Sequence, residues 1–393
     1  MAETLSNKGY VGAAVETTAG TAVTPTDYLE SYDVSITTNR NLQELEPVAG
    51  NVYGTQAVVA GLRDHTGDMI LIFEPNTADK LFAMMLKAGS RTGADPYTQP
   101  YTLDPAAPKS YTFDISSGNI VQRYMGCQVS KLTFEANGNE LRIKPTISAL
   151  GSFQGREIAS IAGTSPYVFT LKTDYDPAPA TGVVVGDIMT LYEASGSIIN
   201  FTVSAVTSTT ISTTTNVAAG ASGGFVYLRA ATQSFNMLPP VLWSNTEFRF
   251  GSTASAALSA AQTRVEPGSN WEITYDFKDA KGEHRSGGQD PAVLLRKPAK
   301  VALNIKKYFD DPKDVIAYNN LAKSACVVRH FVYSGGKTYE IRVTFNNLTT
   351  NDPTPKYKAG EINFSDIKYI PKFDTSDGAA FGVTVISANA TLT

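Results

Sequence analysis

A two-faced hairpin constrains the fold of this chain more than any other part of its sequence. Residues 130–144, SKLTFEANGNELRIK, alternate apolar and polar side chains on both sides of Asn137-Gly138. Asn-Gly between alternating runs is the strongest short-range signal for a β-hairpin, because both residues accept the positive φ of a tight turn. The pattern predicts a sheet with one dry and one wet face. The dry face would hold Leu132, Phe134, Leu141 and Ile143, and the wet face Lys131, Thr133, Glu135, Glu140, Arg142 and Lys144.

Other segments also favour strands. HFVYSGGKTYEIRVTF (330–345) predicts a second hairpin about Gly335-Gly336. In EINFSDIKYI (361–370) the apolar positions change parity, which predicts a β-bulge at Ser365-Asp366. The fold class expected from these signals is mainly β.

Two segments have helical periodicity. NTADKLFAMMLKAG (76–89) opens with Asn76 as the expected N-cap. DPKDVIAYNNLAKSA (311–325) opens with Asp311 as the cap and Pro312 at the first helical position. We therefore expect two short helices.

The two helices belong to an internal repeat. LRDHTGDMILIFEP (62–75) leads into the first helix and LRKPAKVALNIKKYFDDP (295–312) into the second, with Phe73 and Phe309 236 residues apart. A duplication explains this order, and a chance similarity of two strand–helix units is the alternative. We expect one copy over residues 31–150 and a second over 236–393.

Residues 151–235 differ from both copies. They are poor in charge and rich in Thr, Ser and Gly, with four short apolar runs in 183–194, 197–206, 209–215 and 224–230. A low-complexity linker would have such a composition, but the apolar alternation favours a small inserted β-barrel-like module. Residues 1–30, which include GYVGAAVETTAGTAVTPT (9–26), are expected to form an N-terminal arm.

Composition excludes several function classes. Charged residues make up 18% of the chain and the net charge is −4, so bulk charge does not favour nucleic-acid binding. The two cysteines, Cys127 and Cys326, predict free thiols in a reducing compartment. No run approaches the ~18 apolar residues of a membrane span, and the N-terminus lacks a secretory pattern. Synthesis and folding in a cytoplasm are expected.

Motifs for catalysis or cofactor binding are missing. Gly12 and Gly20 have the wrong spacing for a phosphate-binding loop and no lysine follows them. The three histidines stand in no zinc-ligand pattern, and no G-x-S-x-G elbow is found. The carboxylates Asp311 and Asp314 are explained by helix capping, and those at 174 and 176 lack the rest of a calcium loop. We therefore expect no catalytic residue, no metal site and no cofactor.

Long loops recur at matching places in the two copies, over residues 39–61 and 279–294. Loops of this length in compact domains are usually functional or disordered, so we expect contacts with a neighbouring subunit or ring. Their charged residues are Arg40, Glu44, Glu46, Asp279, Lys281, Glu283 and Arg285.

Several of these segments resemble the tail tube (major tail) proteins of long non-contractile phage tails. AAVETTAGTAVTPTDYLE (13–30) contains that family's E-x-x-x-G-T-A-x-T-P pattern ahead of the first strand. The helix at 76–89, the strands YTFDI (111–115) and RYMGCQVSKLTFEANG (123–138), and the closing strand at 140–151 follow in the family's order. The resemblance covers residues 9–155, and 236–393 more weakly, whereas the module at 151–235 departs from the compact family pattern.

The resemblance implies two tandem β-sandwich or split-barrel domains, each with a flanking helix, and a structural virion protein without enzymatic activity. Such domains form stacked rings whose inner hairpins join as one barrel around the genomic DNA. The six polar hairpin residues would then face the lumen. Two domains in one chain favour a trimeric ring of pseudo-sixfold shape over a hexamer.

The resemblance also implies partners and a location. The chain would contact itself, the tape measure, tail terminator and tail-tip proteins, and passing DNA without specific binding, but no membrane. It would be assembled in the host cytoplasm and reside in the virion tail of a siphovirus. The arm would become ordered against a neighbouring subunit, and the module would project outward.

Two other function classes remain open at this point. A carbohydrate-binding or adhesive β-sandwich would need exposed aromatic platforms. The inserted module offers Tyr167, Tyr192 and Tyr227, which alternation places at least partly in its core. A hydrolase on a β scaffold would need a convergent site that the sequence does not display.

Overall fold

The fold was analysed in a computed structural model of the 393-residue chain. It is mainly β, as predicted, and its strands form layered antiparallel sheets that do not close into a barrel within the described residues. The structure describes residues 9–45, 57–59, 61–104, 109–118, 120–173, 176, 178–193, 196–217, 224–230, 233, 235–275, 289–308, 313–320, 322–350, 364–375 and 378–391.

The first half of the chain contains one helix and the strands up to the inserted module. These elements are β1 Tyr10–Val15, β2 Asp27–Leu29, β3 Ser31–Val34, β4 Thr37–Arg40, β5 Gln43–Leu45, β6 Ala57–Val59, β7 Arg63–Ile72, α1 Pro75–Met85, β8 Lys87–Ala88, β9 Thr92–Gly93, β10 Tyr97–Thr102, β11 Tyr111–Ser116, β12 Ile120–Asn137 and β13 Glu140–Ala149.

The module and the second half follow. Their elements are β14 Gly151–Phe153, β15 Arg156–Ala162, β16 Tyr167–Leu171, β17 Ile188–Tyr192, β18 Ile198–Thr202, β19 Ala205–Val206, β20 Thr210–Thr213, β21 Phe225–Arg229, a 3₁₀ turn at Trp243–Asn245, β22 Thr246–Gly251, α2 Ala254–Ser259, β23 Gln262–Thr263, β24 Asn270–Thr274, β25 Lys300–Tyr308, α3 Lys313–Asn319, β26 Ser324–Ser334, β27 Lys337–Thr350, β28 Phe364–Ile370 and β29 Phe381–Ser387.

A wide antiparallel sheet, here called the central sheet, joins the two predicted copies. Its order is β7-β13-β12-β24-β25-β28, with β3 and β4 paired to the outer edge of β7. The β12–β13 hairpin predicted from Asn137-Gly138 is confirmed, with Asn137 opposite Glu140. The pairing of β12 with β24 crosses from one copy to the other.

A second layer packs against the central sheet. Its order is β10-β29-β27-β26-β22, so the C-terminal strand also joins strands of the other copy. Apolar side chains from both copies form one contiguous core between the layers. The division into two domains and their origin by duplication stay predictions.

The first helix differs from its prediction in position and in setting. It spans Pro75–Met85, and its N-cap is Glu74 rather than Asn76, because the Glu74 carboxylate accepts hydrogen bonds from the amides of Asn76 and Thr77. All of its residues are buried, and it contacts β12 of the central sheet and β10, β27 and β29 of the second layer. The expected flanking position of this helix is therefore wrong: α1 lies between the layers.

The second predicted helix is shorter than expected. α3 spans Lys313–Asn319, and the segment predicted to continue to residue 325 instead enters β26 at Ser324. The expected cap and proline at 311 and 312 lie outside the described residues. A further short helix, Ala254–Ser259, has no periodic apolar pattern and was not predicted.

The predicted bulge at Ser365-Asp366 is wrong. β28 pairs with β25 in continuous register, with Ser365 opposite Lys307 and Asp366 opposite Lys306. A register shift occurs instead in β12, between Val129 and Lys131. The buried positions of β28 are odd throughout, at Ser365, Ile367 and Tyr369, so the strand alternates without a bulge and its apolar Ile370 is exposed.

The N-terminal stretch is not an arm that awaits a neighbouring subunit. Residues 10–15 form β1, which pairs with β11 and β2 of the same chain. Val11 and Ala13 are fully buried in the core. Small side chains suit this position because Gly12 packs closely against Pro25, where an added Cβ would lie 2.9 Å from the ring.

A buried carboxylate explains the E-x-x-x-G-T pattern. Glu16 is 5% exposed and accepts hydrogen bonds at 2.8 Å from the amides of Gly20 and Gly126 and from the Thr112 hydroxyl. Gly20 and Gly126 both have positive φ, of 82° and 65°. The motif therefore closes a turn and fixes it to β11 and β12 of its own chain, which is a structural role.

The module has a core of its own. The four strands predicted for it are present, together with β15 and β16, and buried side chains such as Phe169, Met189 and Phe201 fill its interior. Its sheets do not close into the expected barrel within the described residues. The module joins the body where β21 pairs with the first residues of β12.

A buried charge cluster holds the module to the body. Arg123 on β12 donates to Asp114 on β11 at 2.6 and 2.8 Å, and to Asp187 of the module at 2.6 and 3.1 Å. Its third contact is the Gly182 carbonyl at 3.0 Å. Burial of Asp114 is the main cause of the raised pKa of its carboxyl, which Arg123 opposes. This cluster ties the module's orientation to the body's strands.

Candidate functional site: the polar face of the central sheet

The six predicted polar residues lie together on one face of the central sheet. Their neighbours on the opposite face, among them Leu132 and Phe134, are fully buried in the core. In the hairpin register Glu135 lies opposite Arg142 and Thr133 opposite Lys144. The predicted division into a dry and a wet face is therefore correct for this hairpin.

Ion pairs join the charged residues of this face. Lys144 lies 2.5 Å from Glu135, and Arg142 lies 3.3 Å from Glu140. Lys131 lies 2.8 Å from Glu272, which belongs to β24 of the other predicted copy. These pairs are 24–43% exposed at their side chains, so each contributes less than about 1 kcal/mol to stability. Their effect is to reduce the uncompensated charge on the face.

The face extends well beyond the predicted hairpin. On β24 and β25, Asn270 accepts a hydrogen bond from the Asn304 amide at 2.7 Å, and Lys306 lies opposite Asp366 in the register of β25 and β28. These residues were not predicted from the sequence. The alternation in NWEIT (270–274) indicates a strand with one polar face, since Trp271 and Ile273 are buried while their neighbours are not.

The other side of the face is formed by β7 and β3. Asp68 accepts a hydrogen bond from the Thr146 hydroxyl at 2.6 Å. The guanidinium of Arg142 lies over the Tyr32 ring, 4.2 Å from its centroid, and the Tyr32 hydroxyl donates to Glu140. The polar face thus crosses the whole sheet from β3 to β28.

Acidic and basic side chains are nearly balanced on this face. Among the described residues of these strands, the acidic members are Asp33, Asp68, Glu135, Glu140, Glu272 and Asp366, and the basic members are Lys131, Arg142, Lys144, Lys300, Lys306 and Lys368.

A buried aromatic layer supports the face from beneath. Phe134 of the hairpin and Trp271 of β24 stack with centroids 5.7 Å apart, and both rings contact His330 of β26. The Trp271 indole donates to His330 Nε2 at 3.2 Å, so the ring proton resides on Nδ1 and is donated to the Thr246 hydroxyl at 3.0 Å. Burial lowers the pKa of His330 to about 3. His330 therefore has a structural role within a buried strand.

The predicted contact loops are described only in part. Arg40 is the exposed last residue of β4, and Glu44 lies in β5, which pairs with β6 as a short hairpin. Glu46 and the four charged residues at 279, 281, 283 and 285 lie outside the described residues. The role of all seven stays a prediction.

Both cysteines are free, as predicted, and both are buried. Burial raises the pKa of the Cys127 and Cys326 thiols. Within the ranges that the structure describes, no group of three or more His, Cys, Asp or Glu side chains is placed to hold a metal ion. In the same ranges, no helix has the length and apolar character needed to cross a membrane.

A family model described as phage tail tube protein matches residues 6–238, more than half of the chain. The chain belongs to the phage tail tube protein family. The matched range begins just before β1 and spans the inserted module. No curated protein matches the chain.

Membership of the tail tube family gives the polar face its context. This tail tube protein is a structural component of the virion tail. The second predicted copy supplies three strands of the polar face, β24, β25 and β28, and these lie outside the matched range.

Proposed function

We propose that three chains close into a ring through the edges of their central sheets, and that rings stack into a hollow tail tube with the polar face lining the channel. The supporting observation is a wide sheet with one polar face and two open edges. Among the described residues, β3 has no partner beyond β7, and residues 364–368 of β28 have none beyond β25. Open strand edges are a liability that pairing with another chain removes.

The number of strands favours three chains. Each chain contributes seven strand positions to the central sheet, because β3 and β4 lie in line along the outer edge of β7 and are followed by β7, β13, β12, β24, β25 and β28. Three chains give a barrel of about 21 strands, which is more than the ~16–18 strands of natural barrels that enclose an aqueous channel. With a strand spacing of ~4.8 Å and a tilt of ~40°, its backbone diameter is about 42 Å. Six chains would double this diameter.

The charge balance of the polar face suits a channel for DNA. Each phosphate neutralised by a cation adds salt-dependent affinity and slows movement. On this face Lys131, Arg142 and Lys144 are already paired with carboxylates. Genomic DNA would therefore pass into the host without being held. The tape measure, terminator and tail-tip proteins would contact the same rings, assembled in the host cytoplasm on a siphovirus tail.

The inserted module is proposed to lie outside the tube. Its pairing with the body runs through β14 and β21 to the first half of β12, and none of its described strands pairs with the second half of β12 in the central sheet. Deletion of the module is expected to leave tube formation intact. Residues 154–230 are the range to remove, because β14 pairs with the body at Arg123 and Met125.

Cysteine labelling of assembled tubes tests the channel assignment. Thr133→Cys places a thiol on the polar face, and Ser204→Cys places one on an exposed site of the module. In unassembled protein both thiols should react with a 5-kDa polyethylene glycol maleimide. In tubes, the thiol at 133 should react only with a small maleimide, whereas the thiol at 204 should react with both.

Full reaction at 133 with the large reagent in intact tubes would show that the polar face does not line the channel. The native cysteines are buried, so the unmodified protein supplies the background.

A further inference from the structure

A cleft of about 380 Å³ opens at the junction of the inserted module and the body. This junction cleft is separate from the polar face of the central sheet. Its volume falls within the range of small-molecule sites. The lining residues that matter here are Arg40, Arg63, Arg156, Asp176, Phe225 and Tyr227.

Four basic and two acidic side chains line the junction cleft, and all of them except Arg40 take part in ion pairs. Arg63 and Arg156 both approach the same oxygen of Asp176, at 3.5 and 2.9 Å, Arg63 also lies 3.5 Å from Asp290, and Lys172 pairs with Glu157. Arg40 is exposed and forms no ion pair with any residue that the structure describes. Burial is the main cause of the lowered pKa of Arg156, and the charges of Arg63 and Arg40 add to it while Asp176 opposes it. The junction cleft can therefore accept a further negative group.

An aromatic strip forms the adjoining surface. It consists of Tyr192, Phe225 and Tyr227, on the outer face of β17 and β21. Phe225 is 55% exposed and Tyr192 is 38% exposed, and the rings of Tyr192 and Tyr227 stack with centroids 5.3 Å apart. Tyr167 packs against the module's core as expected, whereas Tyr192 and the half-buried Tyr227 lie on the outer face, because the core is filled by their neighbours Leu191 and Val226.

Two exposed amide side chains adjoin the strip. Asn200 lies on the same outer face, where it accepts a hydrogen bond at 2.8 Å from the hydroxyl of the buried Thr190, and Gln154 lines the junction cleft. The surface thus combines flat aromatic rings, amides and guanidinium groups. Exposed aromatic groups of this kind mark binding sites when they are contiguous.

We propose that the junction cleft and the aromatic strip bind an acidic saccharide. The apolar faces of successive sugar rings would lie on Phe225 and Tyr227, and a sugar carboxylate would pair with Arg40 and Arg156. Guanidinium groups recognise carboxylates with two parallel hydrogen bonds. A wholly apolar ligand would leave the arginines unmatched, and a free inorganic anion would not use the aromatic strip.

Binding of matched tetrasaccharides to the unassembled protein and to tubes tests this proposal. The acidic probe is a hyaluronan tetrasaccharide, in which glucuronate alternates with N-acetylglucosamine, and the neutral probe is chitotetraose. Calorimetry should give the acidic probe a Kd at least tenfold lower than the neutral one. Arg40→Gln and Phe225→Ala should each weaken binding at least fivefold. Tyr333→Ala, which removes an exposed aromatic ring elsewhere, is the control and should change nothing.

Three results would overturn the proposal. Equal affinity for the two probes, or no binding, would show that the arginines do not recognise the carboxylate of an acidic saccharide. Competition by inorganic phosphate with no effect of Phe225→Ala would show a simple anion site. Loss of binding in tubes would show that the junction cleft is a contact between copies of this chain. None of these results bears on whether the chain forms rings.

Discussion

His330 should make the folded protein sensitive to acid. Burial lowers the pKa of His330 to about 3, from an ordinary value of 6.5. Its ring is held neutral by the Trp271 indole at Nε2 and by Thr246 at Nδ1, with Phe73 and Phe134 in contact. Glu340 is the charged group that acts on it, and it opposes the shift in pKa. Protonation in the folded state would place a charge in the apolar layer beneath the polar face.

The size of the effect follows from the two pKa values. Between pH 6.5 and 3 the unfolded chain binds a proton at this residue and the folded chain does not, so the free energy of unfolding rises with pH. The contribution of neutral His330 to the free energy of unfolding is therefore complete above pH 6.5 and is lost as the pH falls towards 3. One pKa unit corresponds to 1.36 kcal/mol, so this residue should remove about 3 kcal/mol between pH 7.5 and 4.5.

Urea denaturation of dilute, unassembled protein at the two pH values measures this loss. Carboxylates also titrate in this range, so the comparison is made between the native chain and His330→Gln. The glutamine amide can accept from Trp271 and donate to Thr246 without taking up a proton. The variant should lose about 3 kcal/mol less than the native chain between pH 7.5 and 4.5.

A matched control is His65→Gln, which leaves His330 in place. The decrease in the free energy of unfolding between pH 7.5 and 4.5 that is assigned to His330 must remain in that variant. Equal pH dependence of the native chain and His330→Gln would refute the reasoning, because it would mean that the buried ring contributes nothing to acid sensitivity.

Three substitutions test the structural clusters, each by urea denaturation at neutral pH. Arg123→Met leaves two buried carboxylates without their shared cation and should cost about 3–5 kcal/mol, whereas Arg229→Met at an exposed site should cost less than about 0.5 kcal/mol. Gly126→Ala brings a Cβ to 2.6 Å from Leu150 at a φ of 65° and should cost about 1–3 kcal/mol, so an unchanged midpoint would refute the close packing. In Glu16→Gln the side-chain NH₂ replaces one carboxylate oxygen and faces groups that can only donate to it, so the free energy of unfolding should fall by about 1–3 kcal/mol. A neutral effect would contradict the structural role of the N-terminal motif.

The two-faced hairpin could be predicted because its information is local. Alternation with period two decides which side chains are buried, and Asn137-Gly138 fixes the turn. The same reasoning did not reach β24 and β25, although their alternation is similar. Nothing local specifies that β12 pairs with β24 across more than a hundred residues, so the full width of the polar face follows only from the structure.

The flanking position expected for α1 is what the family resemblance implies, and the sequence of the helix does not correct it. Its charged residues Asp79 and Lys80 are both buried. Asp79 accepts from the Tyr101 hydroxyl at 2.6 Å and from Arg91 at 2.9 Å, and Lys80 lies 3.1 Å from Asp27. These partners are distant in sequence, so periodicity cannot reveal that the polar side of the helix is satisfied inside the core.

The N-terminal stretch is likewise buried in its own chain rather than forming an arm. Its side chains are small, but a strand between two others contributes through its backbone and needs little volume. β1 is buried because β2 and β11 flank it and because Gly12 admits Pro25 at close range. The E-x-x-x-G-T pattern was recognised, but its carboxylate partner Gly126 lies 110 residues away.

A cryo-electron microscopy reconstruction of tubes assembled from the purified protein tests the central claim most directly. The account predicts three chains in each ring, joined from β28 of one chain to β3 of the next. It also predicts that Lys131, Glu135 and Arg142 face the channel. Six chains in a ring, or a polar face turned away from the channel, would contradict it.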